Sequence, residues 1–378
     1  MYDWNLEPVA SNMFGIAPSL IASPLFGIPP AVAPFPFSCN PVVAAVASLL
    51  LALTPPDQWR RLLDRHVGMA LQKEATKRKH WLEDLGAPSS QFYVKQGRLH
   101  LGDDVSYAVQ LLGVEGMDAF LWAWALTEEM KASDPALDLP PELICDALKN
   151  HPELTQQQQQ EENNEKVFPE FATTDPIPLS LTHSGQTFAD IAAGVLADQC
   201  RAVYQVPDYA TGLIYYWIIT DEAFPLEGED TTISACARLS AVIQTMIHPH
   251  ARHRVTNIRQ AIEGYAQALD LQVVPNDDAS QLTATPRNVF WGDSLLVFCD
   301  PEEDKVMGIS GQYDGALHTT WVEYDEFGKF DKLDIQPSLD LATGLPVGVD
   351  EKDDIRTETE SDKTPAINGS NTSNTNGN

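Results

Sequence analysis

The spacing of hydrophobic residues predicts three amphipathic helices, each with one face against a core. The first covers residues 57–85, and its apolar stripe consists of Trp59, Leu62, Leu63, Val67 and Ala70. The second begins near Thr187, which with Asp190 resembles a capping box. Its predicted buried face consists of Phe188, Ile191, Ala192, Val195, Leu196 and Val203. The third covers residues 252–270, with apolar residues at Val255, Ile258, Ile262, Tyr265 and Leu269.

Short strands are predicted between and after these helices. A hairpin is expected at the turn Gln96-Gly97, and "VSYAVQLLGV" and "AFLWAWAL" indicate two more strands. The run "LIYYWIIT" is continuously apolar, which is typical of a strand covered on both faces. Four further strands are predicted from "LQVV", "QLTAT", "VFWGDSLLVFCD" and "KVMGISGQYD", with a turn at "DPEED" (300–304) between the last two.

This order of elements indicates an α+β fold, in which helices pack on antiparallel sheets in successive helix-then-strands blocks. Local composition divides the chain into three regions. Residues 1–54 are an apolar arm rich in Pro and Ala, and no Lys or Arg precedes Arg60. Residues 55–340 are predicted to form the α+β body, with a Gln-rich surface linker at 152–167. Residues 341–378, which are acidic and then rich in Asn, Ser and Thr, are predicted to be a disordered tail.

The overall charge argues against nucleic acids and anionic membranes as binding partners. The chain of 378 residues has a formal net charge of -30, which is unfavourable for binding phosphate backbones or anionic membrane surfaces. We therefore expect no nucleic acid as a partner. The apolar run "PVVAAVASLLLALT" (41–54) is shorter than the roughly 20 residues that a spanning helix needs, so no membrane span is expected.

The cysteines indicate the compartment. The chain has 5 of them, widely spaced and without a Cys-x-x-Cys pair, which favours buried free thiols over a disulfide framework. The amino terminus lacks the positive charge with which secretory signals begin. The sequence therefore predicts a cytoplasmic protein.

Two tryptophans, Trp122 and Trp124, stand out in "FLWAWAL" (120–126). In a strand, Phe120, Trp122, Trp124 and Leu126 would share one face, because side chains two positions apart point the same way. We interpret this face as core. The alternative is an aromatic wall of a ligand pocket, since tryptophan stacks on rings and cations.

Basic residues form two candidate binding surfaces. The segment "HPHARHR" (248–254) is interpreted as a polar connection into the third helix. The alternative is a site for an anion or carboxylate, with Arg252, Arg254 and Arg259 as donors. The histidines lack the spacing of a known metal site, so no metal is expected. The first helix carries Arg60, Arg61, Arg65, Lys73, Lys77, Arg78 and Lys79. These predict a solvated face, or a surface that receives the acidic tail or an acidic partner.

The stretch "LGVEGMDAFLWAWAL" resembles the signature of a mostly bacterial family of uncharacterised proteins, a domain of unknown function. In that family a Leu-Gly segment precedes Trp-Leu-Trp-Ala-Trp-Ala-Asn. The matching residues here are Leu112, Gly113, Leu121, Trp122, Ala123, Trp124 and Ala125. Phe120 replaces the family's first tryptophan and Leu126 its terminal asparagine. The resemblance covers residues 57–315 and implies an α+β body, with no particular reaction.

Together these features predict a protein that binds a small apolar ligand or a protein partner without catalysis and without a cofactor. Its ligand would contact Trp122, Trp124 and Tyr204, with the polar groups drawn from Arg252, His253 and Arg259. The alternative is an accessory enzyme of the cyclase or hydrolase type in a specialised metabolic pathway. Such an enzyme would carry no motif that can be read from the sequence.

Overall fold

The computed structural model describes most of the chain between Pro56 and Val347. The described residues are 56–85, 92–101, 105–127, 143–155, 168–180, 183–196, 199–208, 211–226, 233–276, 280–287, 293–300 and 302–347. The apolar arm, residues 156–167 of the predicted linker, and residues 348–378 of the predicted tail lie outside them. Residues 341–347 form a turn, and Pro346 pairs with Leu339 through an isolated β-bridge.

Seven helices lie within the described residues. They are α1 (Pro56–Lys79), α2 (Leu143–Lys149), α3 (Pro152–Thr155), α4 (Gly185–Val195), α5 (Ala235–Ile247), α6 (Pro249–Arg252) and α7 (Ile258–Ala268). With the two antiparallel sheets described below they confirm the predicted α+β fold. None of these helices is long and apolar enough to cross a membrane.

Helix α1 is the longest of the described helices, and a π-helical turn extends it over His80–Asp84. This confirms the long helix predicted for residues 57–85. The predicted apolar stripe is buried throughout: Trp59, Leu62, Leu63, Val67 and Ala70. The helix contacts α4, and it also contacts α5 and α7. It therefore occupies the centre of the core.

The first sheet consists of β1 (Phe92–Lys95), β2 (Arg98–Leu101), β3 (Val105–Glu115), β4 (Ala119–Trp122), β5 (Ile177–Pro178), β6 (Ala202–Asp208) and β7 (Leu213–Ile219). Strand β3 organises it, because β2 pairs with its first part, β4 with its last residues and β7 with much of its length. Gln96 and Gly97 both have positive φ, as the predicted two-residue hairpin requires. The predicted "LIYYWIIT" strand is β7, which is buried over almost its whole length.

The second sheet consists of β8 (Leu271–Pro275), β9 (Gln281–Pro286), β10 (Ser294–Asp300), β11 (Lys305–Tyr313), β12 (Ala316–Tyr324), β13 (Phe330–Ile335) and β14 (Leu339–Asp340). The strand order is β13-β12-β11-β10-β9-β8, and β14 pairs with the opposite end of β12 from β13. The four strands predicted in this region and the turn before β11 are confirmed.

The helices fill the space between the two sheets. Helix α4 packs on β3 and β6 of the first sheet, whereas α5 packs on β9, β10 and β11 and α7 packs on β8 of the second. Helix α1 contacts α4, α5 and α7 and joins the two halves, and one continuous core of buried apolar residues includes members of both sheets. Cys145, Cys200, Cys236 and Cys299 are buried free thiols, as predicted.

Two predicted helix boundaries were wrong. The capping box of α4 pairs Ser184 with Thr187, one turn earlier than the predicted pair of Thr187 and Asp190. Val203, predicted to lie on this helix, is in β6, because α4 ends at Val195.

The third predicted helix, 252–270, was also wrong at its start. Helix α6 ends at Arg252 and α7 begins at Ile258, after the cap residue Asn257. The helix is interrupted here because buried Asp64 of α1 accepts hydrogen bonds from the Thr256 backbone N–H (2.8 Å) and hydroxyl (2.5 Å).

A close approach between α1 and α7 depends on Gly68. A Cβ atom at this position would lie 2.4 Å from the Cβ of Tyr265, which is fully buried. We expect Gly68→Ala to lower the free energy of unfolding by about 2 kcal/mol, because overpacking outweighs the gain in helix propensity. Urea unfolding measures the change. Gly116→Ala, whose Cβ would meet nothing closer than 3.6 Å, is the control and should be near neutral. Equal stability of Gly68→Ala and wild type would contradict this account of the helix packing.

Glu153 fastens α3 to α1. Its Oε1 atom accepts a hydrogen bond from Arg65 Nη1 (2.6 Å) and lies 3.2 Å from His66 Nε2. Burial alone would raise the pKa of Glu153, but His66 and Arg65 outweigh burial and lower it to about 2. Since this value is below the ordinary 4.5, the contribution to stability is present above pH 4.5 and is lost as the pH falls towards 2.

We therefore expect Glu153→Gln to be less stable than wild type by on the order of 2 kcal/mol at pH 7. The difference should shrink between pH 5 and pH 2, because the wild-type carboxylate then becomes protonated. Urea unfolding of both proteins across this pH range checks the prediction. A difference that does not change with pH would show that Glu153 acts by packing alone.

Candidate functional site

A cavity of about 200 Å³ lies between α1, α4, β6 and the segment that follows α6. We call it the α1–α4 cavity. Helix α1 contributes Ala70, Lys73, Glu74 and Lys77, four residues that share one helical face. Helix α4 contributes Gln186, Asp190 and Ala193, and strand β6 contributes Val203, Tyr204 and Gln205. Arg254 completes the lining.

Arg254 and Asp190 form a salt bridge in the wall of the cavity. Arg254 donates through Nη2 to Asp190 Oδ1 (2.6 Å) and through Nε to Asp190 Oδ2 (3.0 Å), which is a bidentate pair. Gln186 donates to the same carboxylate, and Glu74 accepts a further hydrogen bond from Arg254. Asp190 is buried and Glu74 is exposed, so this network runs from the interior to the cavity mouth.

The charges within this network determine the protonation states of Arg254 and Glu74. Burial alone would lower the pKa of Arg254, but the carboxylates of Asp190 and Glu74 raise it above its ordinary value. The partial desolvation of the Glu74 carboxylate would raise its pKa, but the nearby charges of Arg254 and Lys77 lower it. Arg254 is therefore a permanent cation, and Glu74 is ionised at neutral pH.

Two lysines of α1 face the same space. Lys73 is buried and its Nζ donates to the Ala193 carbonyl (2.7 Å). Lys77 is half-buried, its Nζ donates to the Val203 carbonyl (2.8 Å), and it lies 5.7 Å from the centre of the Tyr204 ring. Burial lowers the pKa of Lys77. With Arg254 the lining has three cationic side chains against the carboxylates of Glu74 and Asp190, an excess of positive charge in a protein of net charge -30.

The cavity is bounded on one side by apolar side chains. Lys77 and Tyr204 also border a neighbouring space of about 10 Å³, which is lined by Trp81, Leu99 and Phe224 among others. A space of that size holds about one water molecule at most. A ligand would therefore be confined to the α1–α4 cavity itself.

The structure brings only part of the predicted site to this cavity. Tyr204 lines it, and so does Arg254, one of the three arginines predicted as donors. Arg252 instead donates to the Val255 carbonyl (2.5 Å) and to Asp304 (3.0 Å). His253 is exposed, and Arg259 is engaged beside Cys299. Arg252, His253 and Arg259 are not among the described residues that line the cavity.

Trp122 and Trp124 lie elsewhere, and their predicted common strand was wrong. Strand β4 ends at Trp122, and a 3-10 turn over Ala123–Ala125 follows. The two rings nevertheless stack, with centroids 4.6 Å apart, because the turn places Trp124 against Trp122. Trp122 is fully buried and donates to the Glu170 carbonyl (2.7 Å), while half-buried Trp124 donates to Thr173 (2.9 Å). Trp122 is therefore a core residue with a satisfied indole N–H.

Sequence reasoning missed that Lys73 and Lys77 face inward and that Glu74 lies beside them at the cavity mouth. The two lysines were predicted to lie on a solvated face of the first helix. A signal was present, because positions 73, 74 and 77 continue the apolar stripe after Ala70 at helical spacing. Polar residues in register with a buried stripe indicate a polar site inside the fold. The sequence pattern indicates Asp190 only as part of a helix capping box.

A second group of titratable side chains has the composition of a hydrolase triad. Ser180 Oγ lies 3.2 Å from His183 Nδ1, and His183 Nε2 lies 3.4 Å from Glu170 Oε1. Ser180 Oγ also accepts the backbone N–H of His183 (3.0 Å), and Trp59 stacks on the imidazole at 4.4 Å. His183 and Glu170 are both buried. We interpret this group as a closed turn against the core, because Ser180 Oγ is already engaged by the turn.

No family model, curated protein or solved structure matches this chain. The resemblance to a domain of unknown function therefore stays a prediction. Within the described residues, no group of three or more His, Cys, Asp and Glu side chains could hold a metal ion.

The Arg254–Asp190 pair offers a test of the cavity wall. We expect Asp190→Asn and Arg254→Met each to lower the free energy of unfolding by about 3–5 kcal/mol, because each leaves a buried charge without its partner. The double variant should lose less than the sum, by roughly 2 kcal/mol. Urea unfolding of the four proteins at pH 7 measures this coupling. Strictly additive losses would mean that the two side chains do not act as a pair.

Proposed function

We propose that the protein binds a small polar ligand with a carboxylate or similar anionic group in the α1–α4 cavity. The observation that carries this proposal is the excess of cationic side chains in a partly buried cavity. The proposal retains the binding role that the sequence predicted. It replaces the expected apolar ligand with a polar one, because the lining contains five charged side chains and two glutamines.

The size of the cavity limits the ligand. The cavity has a volume of about 200 Å³. Sites for drug-sized molecules are larger, at about 300–1,000 Å³. A small metabolite fits this volume, whereas a cofactor of nucleotide size does not.

The electrostatics select the charge of the ligand. Asp190 and Glu74 both bind Arg254, and the two lysines give the lining more cations than carboxylates. Lys77 Nζ donates to the Val203 carbonyl, and among the described residues no carboxylate oxygen lies within 4.0 Å of it. An anionic group near Lys77 would gain a charge-assisted hydrogen bond in a partly desolvated place. The acidic surface would oppose the approach of anions, so binding specificity would reside in the cavity.

Three further proposals concern the cellular location, an enzymatic role and a protein partner. A cytoplasmic location is supported by the four buried free thiols. The accessory enzyme of the cyclase or hydrolase type, and the binding of a protein partner, remain alternatives to the ligand-binding role.

Binding of simple carboxylates tests the proposal. We expect succinate and acetate to raise the melting temperature at low salt, and succinamide and acetamide to leave it unchanged, because only the anions gain the charge-assisted contact. Lys77→Met should weaken succinate binding at least tenfold by calorimetry, which is about 1.4 kcal/mol. Lys329→Met, at an exposed lysine outside the cavity, is the matched control and should bind as wild type does.

A result with amides as effective as carboxylates would contradict an anion site. Equal affinity of wild type and Lys77→Met would place any binding elsewhere on the protein.

A further inference from the structure

Lys77 is held differently from Arg254 in the same wall. Its ammonium donates one hydrogen bond, to the Val203 carbonyl, and among the described residues no carboxylate oxygen lies within 4.0 Å of it. Arg254 by contrast contacts two carboxylates. An ammonium group has three N–H donors. Lys77 therefore lines the cavity without a salt bridge to the described residues that would hold its amine protonated.

We propose that Lys77 forms an imine with a small 2-oxo acid or an aldehyde acid bound in the α1–α4 cavity. This inference rests on the proposed function, because the carboxylate of such a ligand uses the same positive lining. It adds the chemical class of the ligand and a covalent step at a named atom. The product of that step is a lysine imine and one water.

Burial makes the neutral amine that the reaction needs easier to reach from the ammonium form of Lys77. It lowers the pKa of Lys77 and outweighs the carboxylate of Glu74, which raises it; Arg254 lowers the pKa and Asp190 raises it. Lysines that are desolvated beside another cation are the ones that act as nucleophiles towards carbonyl groups.

The step balances with groups that are present. The lone pair of the neutral Nζ attacks the carbonyl carbon, the C–O π bond breaks, and the oxygen takes up a proton to give a carbinolamine. The nitrogen then loses a proton, and the hydroxyl takes up a proton and leaves as water while the C=N bond forms. The product of this loss of water is the protonated imine, and loss of its N–H proton gives the neutral imine. No oxidant or reductant takes part.

The protons of these steps exchange with solvent at the cavity mouth. Glu74, which lines the cavity one helical turn before Lys77, is bound to Arg254, and no carboxylate oxygen of the described residues lies within 4.0 Å of Lys77 Nζ. The exposure of Glu74 at the mouth provides a route for the released water. The ligand carboxylate beside the carbonyl would face the cationic groups of Lys73 and Arg254.

Reductive trapping tests the proposal on the full chain. The protein is incubated at neutral pH with glyoxylate or pyruvate and sodium cyanoborohydride, and the adduct is located by peptide mass mapping. We expect Lys77 to be modified at least tenfold faster than exposed lysines such as Lys329. Lys77→Arg should lose the fast adduct, because guanidinium does not form an imine, whereas Lys329→Arg should keep it. Excess succinate should slow the reaction at Lys77.

The outcomes separate this inference from the proposed function. Equal modification of Lys77 and Lys329 in the wild type overturns the imine, whether or not Lys77→Arg folds. Succinate has no reactive carbonyl, so its binding reports the anion site alone. If succinate binds and Lys77 is not trapped selectively, the anion site stands and the imine falls. If Lys77 is trapped selectively but succinate neither binds nor competes, the imine stands and the carboxylate-binding site falls.

Discussion

The rest of the structure depends on the enclosure of α1 between α4 on one side and α5 and α7 on the other. The backbones approach so closely that a side chain at Gly194 would meet His66 and one at Gly264 would meet the backbone of Arg65. Solvent cannot then satisfy the polar groups on the enclosed faces, and an unsatisfied buried group costs more than a typical hydrogen bond contributes. The buried side chains of Asp64, Gln72 and Lys73 therefore need partners, which they find in other elements.

The partners found in this way tie the fold together. Asp64 holds the segment before α7, Gln72 accepts from the Tyr265 hydroxyl of α7, and Lys73 donates to α4. These bonds are specific in direction, whereas apolar packing alone tolerates sliding of one helix along another. The same enclosure explains the α1–α4 cavity. It forms where the small side chains of Ala70 and Ala193 leave space beside charged groups.

The position of the charges connects the fold to the proposed role. A protein of net charge -30 repels anions over most of its surface, so a binding site for an anion must concentrate its cations locally. Arg254 is fixed by Asp190 and Glu74, which makes it part of the scaffold. Lys77 has no carboxylate oxygen of the described residues within 4.0 Å, and this is why it is the residue proposed to react. The stacked tryptophans, which are the most distinctive feature of the sequence, stabilise the neighbouring core instead.

The sequence by itself determined the fold class, the helices α1, α4 and α7, and the strands β1 to β4 and β7 to β11, because 3.6-residue and two-residue periodicities are local properties. It also located the tight turn at Gln96-Gly97. It did not predict helix α5 or the strands β6, β12 and β13. Helix starts were less certain, since Asp64 interrupts the third predicted helix from a position 192 residues away. The site was decided by tertiary structure alone. Arg254 meets Asp190 across 64 residues and Glu74 across 180, and no local pattern records which distant residues a fold will bring together.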